Sequence, residues 1–304
     1  MPFTNIENTR ARLEDAGYVS TTEIATVVFL AAADDKPILV EGPAGVGKTE
    51  LAKAVARALG HALVRLQCYE GLDEAKALYE WEYAKQLLYT QIVRDKISDV
   101  VAHADTLQEA VDGIAAQADA FFSERFLLPR PLLKAILAPK PVVLLVDEID
   151  KADPEFEAFL LELLSDFQVT IPELGTRRAV HRPFVVLTSN NFRDMSDALK
   201  RRCLHLYIDY PGPEIEKAIV RRRIPQIPDR LADQMISAMA RIRRLDLKKK
   251  PSIAESLDWA RALISLQLES LSREALMATL NVICKYREDA QRVHREVDQV
   301  VNFP

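Results

Sequence analysis

The chain has 304 residues, 49% of them hydrophobic and 28% charged, enough apolar material for two cores and too much for a disordered protein. Nine glycines and 16 prolines exclude collagen-like and low-complexity architectures, and 7% aromatic content argues against a turn-rich all-β protein. With 40 basic residues against 45 acidic ones, the net charge of -5 gives no global field favouring nucleic acid or an anionic membrane. Cys68, Cys203 and Cys284 form no CxxC pair, and His61, His103, His181, His205 and His294 have no metal-ligand spacing, so neither a disulfide framework nor a zinc site is expected. The longest apolar stretch, Ala25 to Ala33, is about half of what a bilayer span needs, and no basic stretch followed by an apolar core opens the chain. Cytoplasmic residence without a transmembrane segment is the expectation.

In chain order, Ser20, Thr21, Thr22 and Glu23 read as a capping box, followed by Ile24, Val27, Val28 and Leu30 at helical spacing as far as Asp34 and Asp35. Ile38 to Val40 is too short for a helix and runs into glycines, which predicts a buried strand. Leu51 to Leu59 is helical and stopped by Gly60, and Leu63 to Gln67 returns as a strand, completing a βαβ unit. Further short β runs at Val142 to Val146, Phe184 to Leu187 and Leu204 to Ile208 predict an α/β domain over 1–210 with five parallel strands. Residues 68–141 are too many for one crossover and constitute an insertion. Its first part, Asp73 to Lys96, places Leu78, Trp81, Leu88 and Ile92 on one helical face with Tyr79, Tyr83 and Tyr89 around it, as internal packing or as a contact surface. After Pro211, Gly212 and Pro213 no β pattern remains, so 211–304 reads as a helical bundle.

Residues 42–49, Gly42, Pro43, Ala44, Gly45, Val46, Gly47, Lys48 and Thr49, match GxxxxGK[ST] between a predicted strand and helix. Glycines there let backbone N–H groups turn onto phosphate oxygens, the helix that continues through Glu50 aims its positive end at the same charge, Lys48 suits the β- and γ-phosphates, and the Thr49 hydroxyl suits Mg2+. ATP with Mg2+ is therefore the expected ligand pair. The strand VVLLVDEID (142–150) ends in two acids, Asp147 to hold the metal and Glu148 to orient or deprotonate water; an ordinary helix cap is the plainer reading of the pair. Asn190, at the tip of the next strand, can bond both a γ-phosphate and the attacking water, although asparagine is also a common turn residue. Lys200, Arg201 and Arg202 are either a solvated cluster or an arginine finger reaching a neighbouring subunit's nucleotide.

These elements, in this order and followed by a helical lid, resemble the AAA+ ATPases over essentially the whole chain. Within that class the sequence looks like the MoxR group and its CoxD-like branch, on the stretches RLQCYEGLDEAKALYEWEYAKQLLYTQ (65–91), DEIDKADPEFEAFLLELL (147–164) and LKRRCLHLYIDYP (199–211). The resemblance implies the strand order 5-1-4-3-2, a pre-sensor hairpin around Val169 to Arg182, and a homo-oligomeric ring, a hexamer, with ATP at its interfaces. It implies Asn190 at sensor 1 and Arg202 as the finger, with Arg201 beside it. Its lid arginine should fall at Ala254; either Arg261 substitutes or the lid senses nucleotide differently. It further implies a chaperone for a protein client, the maturing metal site of a molybdenum hydroxylase such as carbon monoxide dehydrogenase, with a von Willebrand A domain partner. The alternatives are a nucleic-acid-associated motor, with Arg221 to Arg223 and Lys248 to Lys250 as contacts, and a nucleotide-regulated scaffold without turnover. Specific nucleic acid binding is not expected.

Overall fold

The strands follow from burial. In a computed structural model, which describes residues 3–85, 87–88, 106, 126–171 and 174–301, the apolar runs become β1 (Ile38–Glu41), β5 (Val142–Asp147) and β8 (Phe184–Ser189), buried along nearly their whole length. β2 (Ala62–Gln67) and β9 (Leu204–Tyr207) are partly exposed and form the edges of the five-stranded parallel sheet, whose order is β2-β5-β8-β1-β9. Counting only these five strands along the chain, that is the expected 5-1-4-3-2. Register is set by Ile38 opposite Leu204, Ala62 opposite Val142 and Val143 opposite Phe184. Central strands with both faces covered carry continuous apolar runs, which is why they were readable one by one.

By contacts the chain forms two compact units, one of Met1–Gly60, Thr188–Asp194 and Cys203–Pro304, the other of His61–Leu187 and Met195–Arg202. In the first, α1 (Ile6–Asp15) and α2 (Thr22–Asp34) precede β1, and α3 (Lys48–Leu59) follows the glycine turn and ends at Gly60 in the left-handed conformation. Thr21, not Ser20, caps α2: its hydroxyl accepts from Ile24 N at 3.2 Å. The third helical position is then Ile24, so Glu23 stands at the second position and the expected capping box is not formed, and Ser20 Oγ is buried without a hydrogen-bond partner.

After residue 211 the described residues hold six helices, α8 (Pro213–Arg223), α9 (Asp229–Ile242), α10 (Ile253–Ser265), α11 (Arg273–Ile283), α12 (Arg287–Arg295) and α13 (Val297–Val301). They close around Leu231, Met235, Met239, Trp259, Leu276 and Val293. Trp259 is fully buried, and its indole N–H donates to Thr279 Oγ1 at 2.7 Å, so the largest side chain in this core leaves no polar atom unsatisfied. Glu216, also buried, accepts from both terminal nitrogens of Arg243 at 2.5 and 2.7 Å and from the Ser256 hydroxyl at 2.5 Å. The bidentate pair ties α8 to the end of α9, and the Ser256 bond ties it to α10, while the desolvation demand of both charges is met.

In the second unit, α4 (Glu74–Leu78) is short and leads into β3 (Tyr79–Trp81), which pairs antiparallel with β4 (Leu127–Pro129). The helix expected from Asp73 to Lys96 is thus broken at Tyr79. Its 3.6-residue spacing held over too few turns to outweigh the β preference of Tyr79 and Trp81 once a partner strand was present. Tyr79 and Trp81 are half-buried and meet edge to face at 6.0 Å, whereas Tyr83 is 69% exposed. Tyr89, Ile92 and the rest of the stretch to Lys96 lie outside the described residues. β4 leads into α5 (Pro131–Ile136). Beyond β5 come a 3-10 turn (Ile149–Lys151), α6 (Pro154–Asp166), the hairpin β6 (Gln168–Ile171) and β7 (Gly175–Arg178), which answers to the expected pre-sensor hairpin, and α7 (Asp197–Arg202).

Candidate functional site

The phosphate loop joins β1 to α3 in the first unit. Gly42 and Gly45 take φ values of 144° and 79°, conformations that favour glycine, and both are closely approached: a Cβ on Gly42 would collide with the Ile208 carbonyl, and one on Gly45 with the Ser252 hydroxyl. Lys48 is only 6% exposed. Its ammonium donates to Gly42 O at 2.7 Å, Pro43 O at 2.6 Å and Asn190 Oδ1 at 2.8 Å. The lysine is therefore preorganised inside the loop it belongs to, with Asn190 brought onto the same cation from the end of β8. Asn191, at φ 60°, makes the turn instead, its N–H bonding Ser189 Oγ at 3.0 Å. The turn reading of this pair belongs to Asn191 and the polar contact to Asn190.

Glu50 lies in the first turn of α3 and faces Lys53 Nζ at 2.7 Å and Arg223 Nη2 at 2.8 Å. Burial alone would raise its carboxyl, but the hydrogen bonds and charges of Lys53 and Arg223 outweigh burial and hold it below the usual glutamate range. Burial, reinforced by the charge of Glu50, pushes the Tyr18 hydroxyl far above the ordinary tyrosine range. At the other side of the loop, Ser252 opens α10 with a capping box closed by Glu255. Ala254, where the resemblance put an arginine, presents its methyl group within 3.5 Å of where a Gly45 Cβ would stand. Arg261 is exposed and bonds Asp258 on its own helix at 3.0 Å.

In the second unit the acid pair ends β5. Asp147 is 2% exposed and accepts from Arg65 of β2, from Nε at 3.0 Å and Nη2 at 2.5 Å. Glu148 accepts from Gln67 Nε2 at 2.8 Å and from Lys151 Nζ at 2.6 Å. Its backbone is left-handed, φ 58° and ψ 50°, a conformation that costs a non-glycine residue about 1–3 kcal/mol. Glu148 makes no side-chain cap to the 3-10 turn that follows, and Asp153, not the acid pair, precedes α6, so the plain helix-cap reading does not describe these carboxylates. Cys68 donates its N–H to Asp147 O at 2.8 Å, and burial, then the nearby acids, pushes its thiol up to about 12. Arg201 and Arg202 end α7 exposed; Arg202 Nε donates to Ser165 Oγ at 2.9 Å.

Sequence reasoning missed Arg65, Gln67 and Arg223. Arg65 and Gln67 share a strand face at i and i+2, and that alternation beside a strand ending in two acids was the available signal. In the first unit the caged ammonium and the glycine-turned amides have the chemistry to hold phosphate, and the Thr49 hydroxyl is a hard oxygen donor; in the second, Asp147 is a buried carboxylate of the kind a magnesium-like ion takes. Among the described residues no group of three histidine, cysteine or acidic side chains forms a metal site of its own.

A glycine turn between a central parallel strand and a helix, with a caged lysine, defines a P-loop nucleoside triphosphatase. Residues 37–203, more than half of the chain, match the AAA domain of the dynein-related subfamily. The chain belongs to that family and is an ATP-hydrolysing AAA+ enzyme, a membership that implies nucleotide binding with a divalent metal. Among curated proteins it is 25% identical over 239 residues to an uncharacterized protein of Staphylococcus aureus (strain bovine RF122 / ET3-1), covering 76% of this chain and 77% of that one. An uncharacterized protein of Staphylococcus haemolyticus is 26% identical over the same length and the same shares. Among solved structures, the Thermotoga maritima RuvB Holliday junction branch migration motor is similar at 15% identity and a TM-score of 0.47, over 88% of this chain and 68% of that chain. A RuvB mutant from the same organism is similar at 16% and 0.49, over 92% and 71%. No helix among the described residues is long and apolar enough to cross a membrane.

Proposed function

We propose that this chain is a MoxR-group ATPase of the CoxD-like branch, a cytoplasmic chaperone that uses ATP to remodel a protein client during maturation of a molybdenum hydroxylase's metal site. The sequence stretches 65–91, 147–164 and 199–211 support the branch. The observation that supports a protein client is that, among the described residues of the insertion, Tyr83, Leu87 and Leu88 are each more than half exposed. Most of the basic residues offered for nucleic acid have partners within the chain: Arg221 pairs with Asp229, Arg222 donates to the Glu14 carbonyl, Arg223 pairs with Glu50, and Lys248 sits 4.3 Å from the Tyr286 ring centre.

In this reading residues 1–210 hold the nucleotide and 211–304 act as a lid. Lys48 and the amides of residues 42–49 bind the phosphates, and Thr49 and Asp147 are the residues that would hold the metal. When bound, Mg2+ would supply positive charge against the triphosphate. Asn190 orients the attacking water and the γ-phosphate. Glu148 takes the proton of that water as its oxygen bonds phosphorus and the β,γ-bridging P–O bond breaks, leaving ADP and phosphate. Arg202, supported by Arg201, reaches the nucleotide of the next subunit in a hexameric ring, and a von Willebrand A domain protein delivers the client.

Arg202→Ala is expected to bind ATP normally and to lose on the order of 10³-fold in turnover, the range of an arginine finger. Lys48→Ala subunits still carry Arg202, so mixing them in should restore part of the activity; no rescue in verified mixed rings would mean that the arginine does not act across an interface. For the client, deletion in the host should leave a molybdenum hydroxylase synthesised but lacking a complete metal centre, measured as metal content of the purified enzyme. A fully metallated, active hydroxylase in the deletion strain would contradict the proposed client.

A further inference from the structure

Glu50 is an awkward neighbour for a triphosphate. It lies one residue beyond Thr49, in the first turn of the helix whose N-terminal end faces phosphate, and its negative charge opposes the ligand that this end attracts. Lys53 from the same helix answers part of that charge. The rest comes from far along the chain, from Arg223 at the end of α8, 2.8 Å from Glu50 Oε2. The neighbouring Arg222 fixes the same helix end by donating to the carbonyl of Glu14 at the end of α1. A third contact, independent of charge, brings Ser252 and Ala254 at the start of α10 against Gly45 within the phosphate loop. All of these lie within one compact unit, and they join the helical region after residue 211 to the phosphate loop at two points. From the helical region after residue 211, Arg223 brings a charge to the helix that starts at Lys48, whereas Ala254 brings a methyl group and Arg261 pairs with Asp258.

We propose that Arg223 is a positioning residue for the nucleotide, acting through Glu50: it neutralises the carboxylate beside Thr49 and thereby links the helical region to the occupancy of the phosphate loop. The inference rests on the reading of residues 42–49 as the nucleotide site. The pair is about 40% exposed on the arginine side and 36% on the glutamate side, so its effect is modest rather than absolute.

The test is a double-mutant cycle read as the affinity and dissociation rate of fluorescent mant-ADP, without reference to turnover. Arg223→Ala should weaken mant-ADP by roughly three- to fivefold, the upper range for a partly exposed ion pair. In a Glu50→Gln background the same substitution should have no effect, because there is no carboxylate left to neutralise, and Arg223→Lys should restore most of the wild-type affinity. No loss in Arg223→Ala, or an equal loss in both backgrounds, would overturn the proposal. Lys48→Ala run alongside separates the two levels: wild-type mant-ADP affinity in that variant removes the nucleotide site itself, whereas lost binding there with no coupling between Arg223 and Glu50 removes only this inference.

Discussion

Lys48→Ala should lose ATP and ADP binding by at least about 100-fold, as the cost of removing a buried cation and its charge-assisted bonds to phosphate. The lysine is the loop's single cationic side chain between Gly42 and Thr49, and it is held by Gly42 O, Pro43 O and Asn190 Oδ1. Alanine cannot replace either function: the β- and γ-phosphates lose their point charge, and the inward carbonyls that the ammonium satisfied are left facing one another. Isothermal titration with ADP measures the first effect directly, and a thermal melt in the absence of nucleotide checks that the fold survives. Affinity equal to wild type would refute the phosphate-loop assignment.

Glu148→Gln should separate binding from hydrolysis. The amide keeps the size of the carboxylate and can still be held by Gln67 and Lys151, but it cannot accept a proton from water. Turnover should fall by about 10²- to 10⁴-fold while nucleotide affinity stays within a few-fold of wild type. The left-handed backbone at position 148 is a property of the turn after β5, and glutamine occupies it at a cost similar to glutamate's. Turnover within a few-fold of wild type would place the base on another residue.

What could be read in the sequence was what is local. β1, β5 and β8 are runs of apolar residues that need only their own composition to be recognised, and the loop from Gly42 to Thr49 carries its geometry in its glycines. The contacts that tune the site are of another kind. Arg65 meets Asp147 across neighbouring strands 82 positions apart, and Arg223 meets Glu50 at a separation of 173, so apart from the i, i+2 alternation of Arg65 and Gln67 the pairings leave no spacing to detect. The insertion failed for the same reason. Tyr79–Trp81 became a strand because Leu127–Pro129 pairs with it, and a helical period counted along Asp73 to Lys96 contains no trace of a partner so far downstream. At the N-terminus the error was one residue wide: Ser20 and Thr21 are both good caps by type, and residue type does not say which of them takes the position that Thr21 holds.

The most direct measurement of the central claim, that this chain hydrolyses ATP with Glu148 as its base, is the identity of the nucleotide retained after incubation with Mg2+ and ATP. Rapidly desalted Glu148→Gln should hold intact ATP, wild type should hold ADP, and Lys48→Ala should hold neither, as read by ion-exchange chromatography of the denatured samples. ADP on Glu148→Gln at the wild-type level would contradict the account.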